Sequence, residues 1–225
     1  VSSDSRRGPR VRMTGSERRE QLVTISRALF AEKGFEGTSV EEIAARAKVS
    51  KPVVYEHFGG KEGIYAVVVD REVQRLLGML TEQLGAGGHP KVIVEKAALT
   101  LLDYIEANTD GFRILVRDSP VAQATGTFSS LIGDVATQVE HLLAEQFRAR
   151  RLDPAAAPMY AQMLVGLIAL TGQWWLEARH PDKTVVAAHM VNLAWNGLKG
   201  LERDPRLSSL AQDPSSDRRP GAARG

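Results

Sequence analysis

The chain of 225 residues contains no cysteine. Disulfide staples, thiolate nucleophiles, thiol redox switches and cysteine-based zinc sites are therefore excluded, and the fold must hold by packing. Aromatic residues are scarce, and neither sign of charge dominates: 29 Lys and Arg against 27 Asp and Glu leave a formal net charge of +2. Where the charges sit thus matters more than their total. Strand-type alternation is missing throughout, which argues against sheet architectures. No uninterrupted apolar run reaches bilayer-crossing length, and no signal-type segment follows the arginine-bearing start, so a cytoplasmic chain without a membrane partner is expected. A nucleotide-binding glycine loop and a nucleophile elbow are also missing, and His57, His89, His141, His180 and His189 show no metal-ligand spacing to nearby carboxylates. His141 and Glu145 share a helix face, but such a pair one turn apart reads as a surface pair. An all-helical enzyme acting on a hydrophobic substrate has little to rest on, and neither a metal nor a cofactor is expected.

What the chain does have is helical periodicity with sharp punctuation, most densely in the stretch TSVEEIAARAKVSKPVVYEHF from Thr38 to Phe58. Val40, Ile43, Ala44 and Ala47 fall on one face, and Thr38 or Ser39 supplies a capping oxygen for the exposed amides. A tight corner follows at Lys48-Val49-Ser50, where Ser50 offers a second cap and Pro52 suits the first turn of the next helix. Two short helices around such a corner let the second lie in a DNA groove. At about 100° per residue, Val54 and Phe58 point one way and Pro52, Val53 and Glu56 the other, with Lys51, Tyr55 and His57 on the flanks. An outward Val53 makes sense against a thymine methyl, while Lys51, Tyr55 and His57 reach phosphates. Glu56 either accepts from a cytosine amino group or repels phosphate. Gly59-Gly60 ends this helix, and Lys61 with the next helix's first amides forms a phosphate clamp. Upstream, Ser16 to Gly34 carries Leu22, Ile25, Ala28 and Leu29 on a stripe long enough to cover both short helices. The plainer reading is a small bundle whose Tyr, His and Lys are ordinary surface residues.

This segment resembles the N-terminal module of the tetracycline-repressor (TetR) family. Ala28, Phe30, Gly34, Thr38, Ser39, Val40, Ile43, Ala44, Ala47, Val49, Ser50, Tyr55, His57, Phe58 and Lys61 carry the resemblance, over roughly the first third of the chain. Two positions depart from it. Lys48 stands where the family often has glycine, because the backbone there tends to positive φ, and Val53 stands where relatives often have threonine, so no hydroxyl contact carries over. The resemblance implies an all-α fold: an N-terminal three-helix helix-turn-helix DNA-binding domain and a larger C-terminal helical ligand-binding and dimerisation domain. It also implies dimerisation through the last two helices and a pendulum-like shift of the linking helix.

The rest of the chain divides accordingly. Residues 1–15, with Arg6, Arg7, Arg10 and Arg12, read as a disordered basic arm; 16–62 as the DNA-binding domain; 63–203 as the regulatory and dimerisation domain; and 204–225 as a disordered tail rich in Pro, Ser, Gly and Arg. The linking helix is expected from Gly60 to about Leu84, and a second amphipathic run carries Val92, Val94, Ala98, Leu101, Leu102 and Ile105. Asp110 is placed to cap a short segment through Val116, and Ser119-Pro120 turns the chain toward a helix holding Phe128 to Leu143.

Pro158–Ala178 and Thr184–Leu201 are apolar on more than one side and need burial on two faces. Gly166, Ala169, Ala187, Met190, Leu193, Ala194, Trp195 and Gly197 form a candidate interface with a second subunit; a buried hairpin within one chain is the alternative. Tyr104, Phe112, Leu115, Phe128, Met163, Gln173 and Trp174 are candidates to line an apolar ligand cavity, although aromatics at helical spacing are more often core. The expected function is a transcriptional regulator, a repressor that binds a palindromic operator of double-stranded DNA as a homodimer and is released by a small apolar effector. An effector-independent DNA-binding protein is the rival.

Overall fold

Thr14 opens the first helix with a reciprocal cap: its hydroxyl accepts from the Glu17 amide at 3.2 Å while the Glu17 carboxylate accepts from the Thr14 amide at 2.7 Å. This is α1, Gly15–Lys33. In the computed structural model, which describes residues 13–117, 128–203 and 205, there follow α2 (Val40–Ala47), α3 (Lys51–Phe58), α4 (Lys61–Gly85), α5 (Pro90–Ala107), α6 (Thr109–Val116), α7 (Phe128–Ala149), a 3-10 turn (Pro154–Ala156), α8 (Ala157–Ala178) and α9 (Lys183–Lys199). No strand occurs among the described residues. Arg6, Arg7, Arg10 and Arg12 of the expected arm, the Ser119-Pro120 turn and residues 206–225 of the expected tail lie outside them.

The first three helices close on Leu22, Leu29 and Phe30 of α1, Ile43 and Ala47 of α2 and Val54 of α3, all but fully buried. Tyr65 of α4 joins them edge-on, its ring 4.9 Å from that of Phe30 and 5.0 Å from that of Phe35. Lys48 ends α2 at φ 55° and ψ 45°, the left-handed conformation that the family position demands, and its amide bonds back to the helix. At the α3–α4 corner the backbones approach so closely that a Cβ on Gly63 would lie 1.8 Å from the Phe58 carbonyl oxygen. Gly63→Ala is therefore expected to force the two helices apart and cost about 1–3 kcal/mol, read as a lowered thermal midpoint. An unchanged midpoint would show that the corner yields freely.

α4 belongs to both halves of the molecule. Ile64, Val68, Glu72, Leu76, Leu80 and Leu84 recur every fourth residue and are all buried, first against α1 and then against α5 and α7. The main apolar core therefore runs through both halves, with a smaller cluster of Leu143, Phe147, Ala157, Ala161, Leu164 and Ala194 beside it, and the expected boundary at residues 62 and 63 falls in the first turn of α4. α6 lies on α1, held there by Arg117, whose guanidinium donates to the carbonyls of Ala31 at 2.8 Å and Phe30 at 3.3 Å. α7 packs on α8 and α9 on α5.

One expectation needs correction here. Asp110 does not cap α6: the helix begins after Asn108, Asp110 lies in its first turn, and no side chain caps it. The segment Pro154–Ala178 is, by length and composition, apolar enough to cross a membrane, although Gln162, Gln173 and Glu177 interrupt it; 28% of its most apolar window is buried.

Candidate functional site

α3 presents its outer side to solvent. Lys48, Ser50, Lys51, Pro52 and Glu56 are exposed, Tyr55 is 53% exposed, and Val53 and His57 are half-buried. Val53 thus packs partly on the core and does not point wholly outward. Ser39 caps α2, its hydroxyl accepting from the Glu42 amide at 3.2 Å. Ser50 occupies the N-cap position of α3 but its hydroxyl makes no capping bond, contrary to expectation. Lys51 is ion-paired with Glu41, and that hydrogen bond is the main cause holding the Glu41 carboxyl below the usual carboxylate range.

Two candidate DNA contacts are occupied elsewhere. Thr38 is buried, and its hydroxyl donates to the Gly34 carbonyl at 2.8 Å, pinning the turn between α1 and α2. Lys61 donates to the Phe35 carbonyl at 3.0 Å with its ammonium 4.0 Å from the Phe35 ring centre, so it anchors the corner from within. The pattern did not single out Arg19, which donates to the His57 carbonyl at 2.7 Å and lies 4.3 Å over the Phe58 ring, fastening the end of α3 to α1.

A buried polar node ties this reading head to the larger domain. Glu72 of α4, 3% exposed, accepts from Arg27 Nε of α1 at 2.8 Å and from the Tyr104 hydroxyl of α5 at 2.5 Å. A Cβ on Gly111 of α6 would lie 2.1 Å from the same carboxylate, so the α6 backbone rests directly on it. Burial, then the bond to Glu72, pushes the Tyr104 phenol well above its ordinary value, and it stays a donor. Glu72 was legible as an acid inside the every-fourth-residue apolar stripe of α4.

Beside this node, α4, α5, α7, α8 and α9 line a cavity of about 300 Å³ that is partly open to solvent, with Gly87, Gly88, Glu145 and Gln146 exposed along it. Leu76, Leu80 and Leu84 line it from α4, Ile93, Ala97 and Leu101 from α5, Leu131, Val135, Val139 and Leu142 from α7, Ile168 and Ala169 from α8, and Trp195 and Leu198 from α9. Glu145 and Gln146 are the sole charged or amide side chains among the described lining residues. None of the described aromatic candidates lines it. Tyr104, Phe112 and Leu115 are buried in the core, Gln173 is half-buried outside the lining, and Met163 and Trp174 are 57% and 53% exposed. The side chain of Phe128 lies outside the described residues. Sequence reasoning looked mainly to rings, whereas apart from Trp195 the described walls are chiefly aliphatic.

The outer face of α8 is a separate feature. Met159, Met163, Leu170 and Trp174 fall on one stripe and stay more than half exposed, with Leu193 of α9, at 66%, beside them in type. Of the candidate interface residues, Leu193 and Gly197 are exposed and Gly166 is half-buried. Ala169, Ala187, Met190 and Ala194 are instead buried within their own chain, and Trp195 faces the cavity. Helices that are apolar on two sides divide their faces this way, and small residues went inward where α5, α7 and α9 crowd them.

A capped helix-turn-helix with an exposed second helix, carried on a helix shared with an all-α domain, is the architecture of a DNA-binding transcriptional regulator. The family model for bacterial regulatory proteins of the tetR family matches residues 22–68, and that for the tetracyclin repressor-like C-terminal domain matches residues 90–197. The chain belongs to the TetR family. It is 29% identical over 199 residues to the HTH-type transcriptional activator FasR of Mycolicibacterium smegmatis, covering 86% of this chain and 88% of that one. Among solved structures it is similar to a TetR-like regulator from Rhodococcus sp. RHA1, with a TM-score of 0.70, 24% identity, and coverage of 84% of this chain and all of the other. It is also similar to the fatty acid degradation regulator FadR from Bacillus halodurans, with a TM-score of 0.65, 16% identity, and coverage of 81% and 96%.

Proposed function

We propose that the chain is a cytoplasmic repressor that grips an inverted repeat as a homodimer and lets go when an elongated apolar molecule fills the cavity. The observation that carries the effector reading is the cavity's shape and chemistry. Its walls follow α4 from Leu76 to Leu84, roughly 12 Å at 1.5 Å per residue, and α7 from Leu131 to Gln146, roughly 22 Å. Aliphatic side chains line that length, and the exposed Glu145 and Gln146 sit together at one end of α7, which suits a molecule whose alkyl body is buried while its polar head reaches solvent. The similar protein from Bacillus halodurans is a fatty acid degradation regulator, which favours the same class of molecule here.

Release follows from linkage. α4 lines the cavity with its C-terminal half and supports α3 with its N-terminal half, so a ligand that prefers one tilt of α4 selects one spacing of the two reading heads. A tenfold preference would lower operator affinity tenfold, about 1.4 kcal/mol. Purified protein, a retained promoter fragment and a saturated fatty-acid series test this: dissociation from DNA together with a raised thermal midpoint is expected. A chain that binds DNA and ignores every such compound would be an effector-independent DNA-binding protein. The Mycolicibacterium smegmatis relative is named an activator, so a promoter fusion fixes the sign.

On the DNA, Tyr55, Ser39, Ser50 and Lys51 take phosphates, with Lys48 and His57 nearby, while Pro52, Val53 and Glu56 face the base edges. Lys51 must exchange Glu41 for a phosphate, which reduces its net gain. Tyr55→Ala is expected to weaken operator and unrelated DNA alike, about tenfold, and Lys51→Ala to flatten the salt dependence of binding by up to one unit of slope per subunit. Val53→Thr is expected instead to change base preference by about 1 kcal/mol at one position of each half-site. Equal losses at all positions would remove Val53 from the base-reading side.

A further inference from the structure

α1 is a bracket between the regulatory helices and the reading helix. Toward α4, Glu20 accepts from both terminal guanidinium nitrogens of Arg71, each at 2.6 Å, and Arg27 meets Glu72 of the same helix at 2.8 Å. Arg19, next in sequence to Glu20, turns instead to α3: it donates to the His57 carbonyl at 2.7 Å and lies 4.3 Å from the centre of the Phe58 ring. That carbonyl is among the last of α3, which lack partners within the helix, so the guanidinium also meets the negative end of the helix dipole. Among the described residues this is the one hydrogen bond that joins α1 to α3. The rest of α3 is thinly held, since Val54 is its one buried side chain and Ser50 makes no capping bond.

We infer that Arg19 is a positioning residue: it sets the tilt of α3 and thereby how sharply the protein tells its operator from other DNA. An eight-residue helix is roughly 12 Å long, so a tilt of about 5° about its C-terminal end carries its first turn through about 1 Å. Contacts to base edges do not survive such an offset, because hydrogen-bond distances span only about half an ångström. Phosphate contacts from exposed side chains such as Lys51 and Tyr55 adjust to it by rotamer. Loosening Arg19 therefore removes discrimination and leaves general affinity. Arg19 acts through α3 and not on the DNA itself, since its half-buried guanidinium is already engaged by a carbonyl and a ring.

The test uses the full chain, a promoter fragment that it retains and a random duplex of equal length, titrated over a salt series at a temperature where circular dichroism shows each variant folded. Arg19→Met keeps an aliphatic stem and loses the donors. It is expected to bind the promoter fragment about tenfold more weakly, as for one lost base contact, and to flatten the base preference when each half-site position is substituted in turn. Its affinity for the random duplex is expected to stay within about twofold, with the salt slope unchanged. Arg19→Lys, which keeps the charge but not the planar face, is expected to fall between Arg19→Met and wild type. Phe58→Leu removes the ring beneath the guanidinium and keeps the hydrogen bond, so a smaller loss of discrimination in that variant carries the result where Arg19→Met fails to fold. Equal losses on both duplexes with a shallower salt slope would make Arg19 a phosphate ligand and overturn the inference. Full discrimination in a folded Arg19→Met would overturn it too, leaving α3 positioned by its packing on α2 and α4 alone.

Discussion

Leu170→Asp is expected to yield a folded monomer whose operator affinity is lower by at least about a hundredfold. Leu170 is 65% exposed on α8 and lies on the same stripe as Met159, Met163 and Trp174, so it contributes almost nothing to its own core. Aspartate there leaves helix content and the cavity intact. In a twofold dimer each substitution counts twice, because the same patch meets itself across the axis. Two buried leucines are worth about 1.5–3 kcal/mol each, and two carboxylates facing each other in that seam add repulsion and desolvation. A standard interface cannot absorb such a loss. The DNA consequence is steeper still, since α3 is only eight residues long and makes few base contacts alone. Without a partner, the second half-site is no longer presented at the millimolar effective concentration that a joined reader provides. Sedimentation and operator titration read the two effects separately. A Leu170→Asp dimer with full affinity would move the interface to another face.

The helix-turn-helix was readable residue by residue because local rules determine it: a cap at Ser39, a left-handed corner at Lys48, proline at the start of α3 and glycine at its end. Lys48 adopts positive φ although it is not glycine, so the family's preference and the observed conformation agree. What failed there were assignments of side chains by type. Thr38 and Lys61 looked like phosphate ligands, yet both hold the packing of α1 to its neighbours. A helical wheel says which way a side chain points and not what is already beside it.

The regulatory half was legible in its helices and not in its site. Leu131, Val135, Val139 and Leu142 were readable as the buried stripe of α7, but whether such a stripe meets a neighbour or an empty space depends on the separation of five helices. Trp174 and Trp195 show the same limit from both sides, the first exposed on the outer face and the second turned to the cavity. Small residues at Ala169, Ala187 and Ala194 allow close approach but do not say whether the approaching helix belongs to the same chain.

The loss expected in Glu72→Ala is one of stability, about 3 kcal/mol, at the lower end of what removing one member of a buried ion pair costs, because Arg27 is a quarter exposed and keeps some water. Among the described residues the carboxylate is the sole acceptor through which α1, α4 and α5 are linked, and the α6 backbone at Gly111 closes over it. Removing it strands the Arg27 guanidinium and the Tyr104 hydroxyl together and opens a gap between the reading head and the regulatory helices. At about 2–4 °C per kcal/mol for a chain of this size, the thermal midpoint drops by roughly 6–12 °C. Tyr104→Phe loses only a hydrogen bond, about 1 kcal/mol, and in combination with Glu72→Ala the two losses are less than additive because they share one partner. The pH dependence has a definite sign. Tyr104 is raised when folded, so its contribution is complete below the ordinary tyrosine value near 10 and declines as pH climbs above it, where the unfolded chain ionises and the folded one does not. Tyr104→Phe removes that alkaline decline. Additive losses, or an alkaline limb unchanged in Tyr104→Phe, would mean that the three helices are joined by apolar packing alone and that the carboxylate is a passenger in the core.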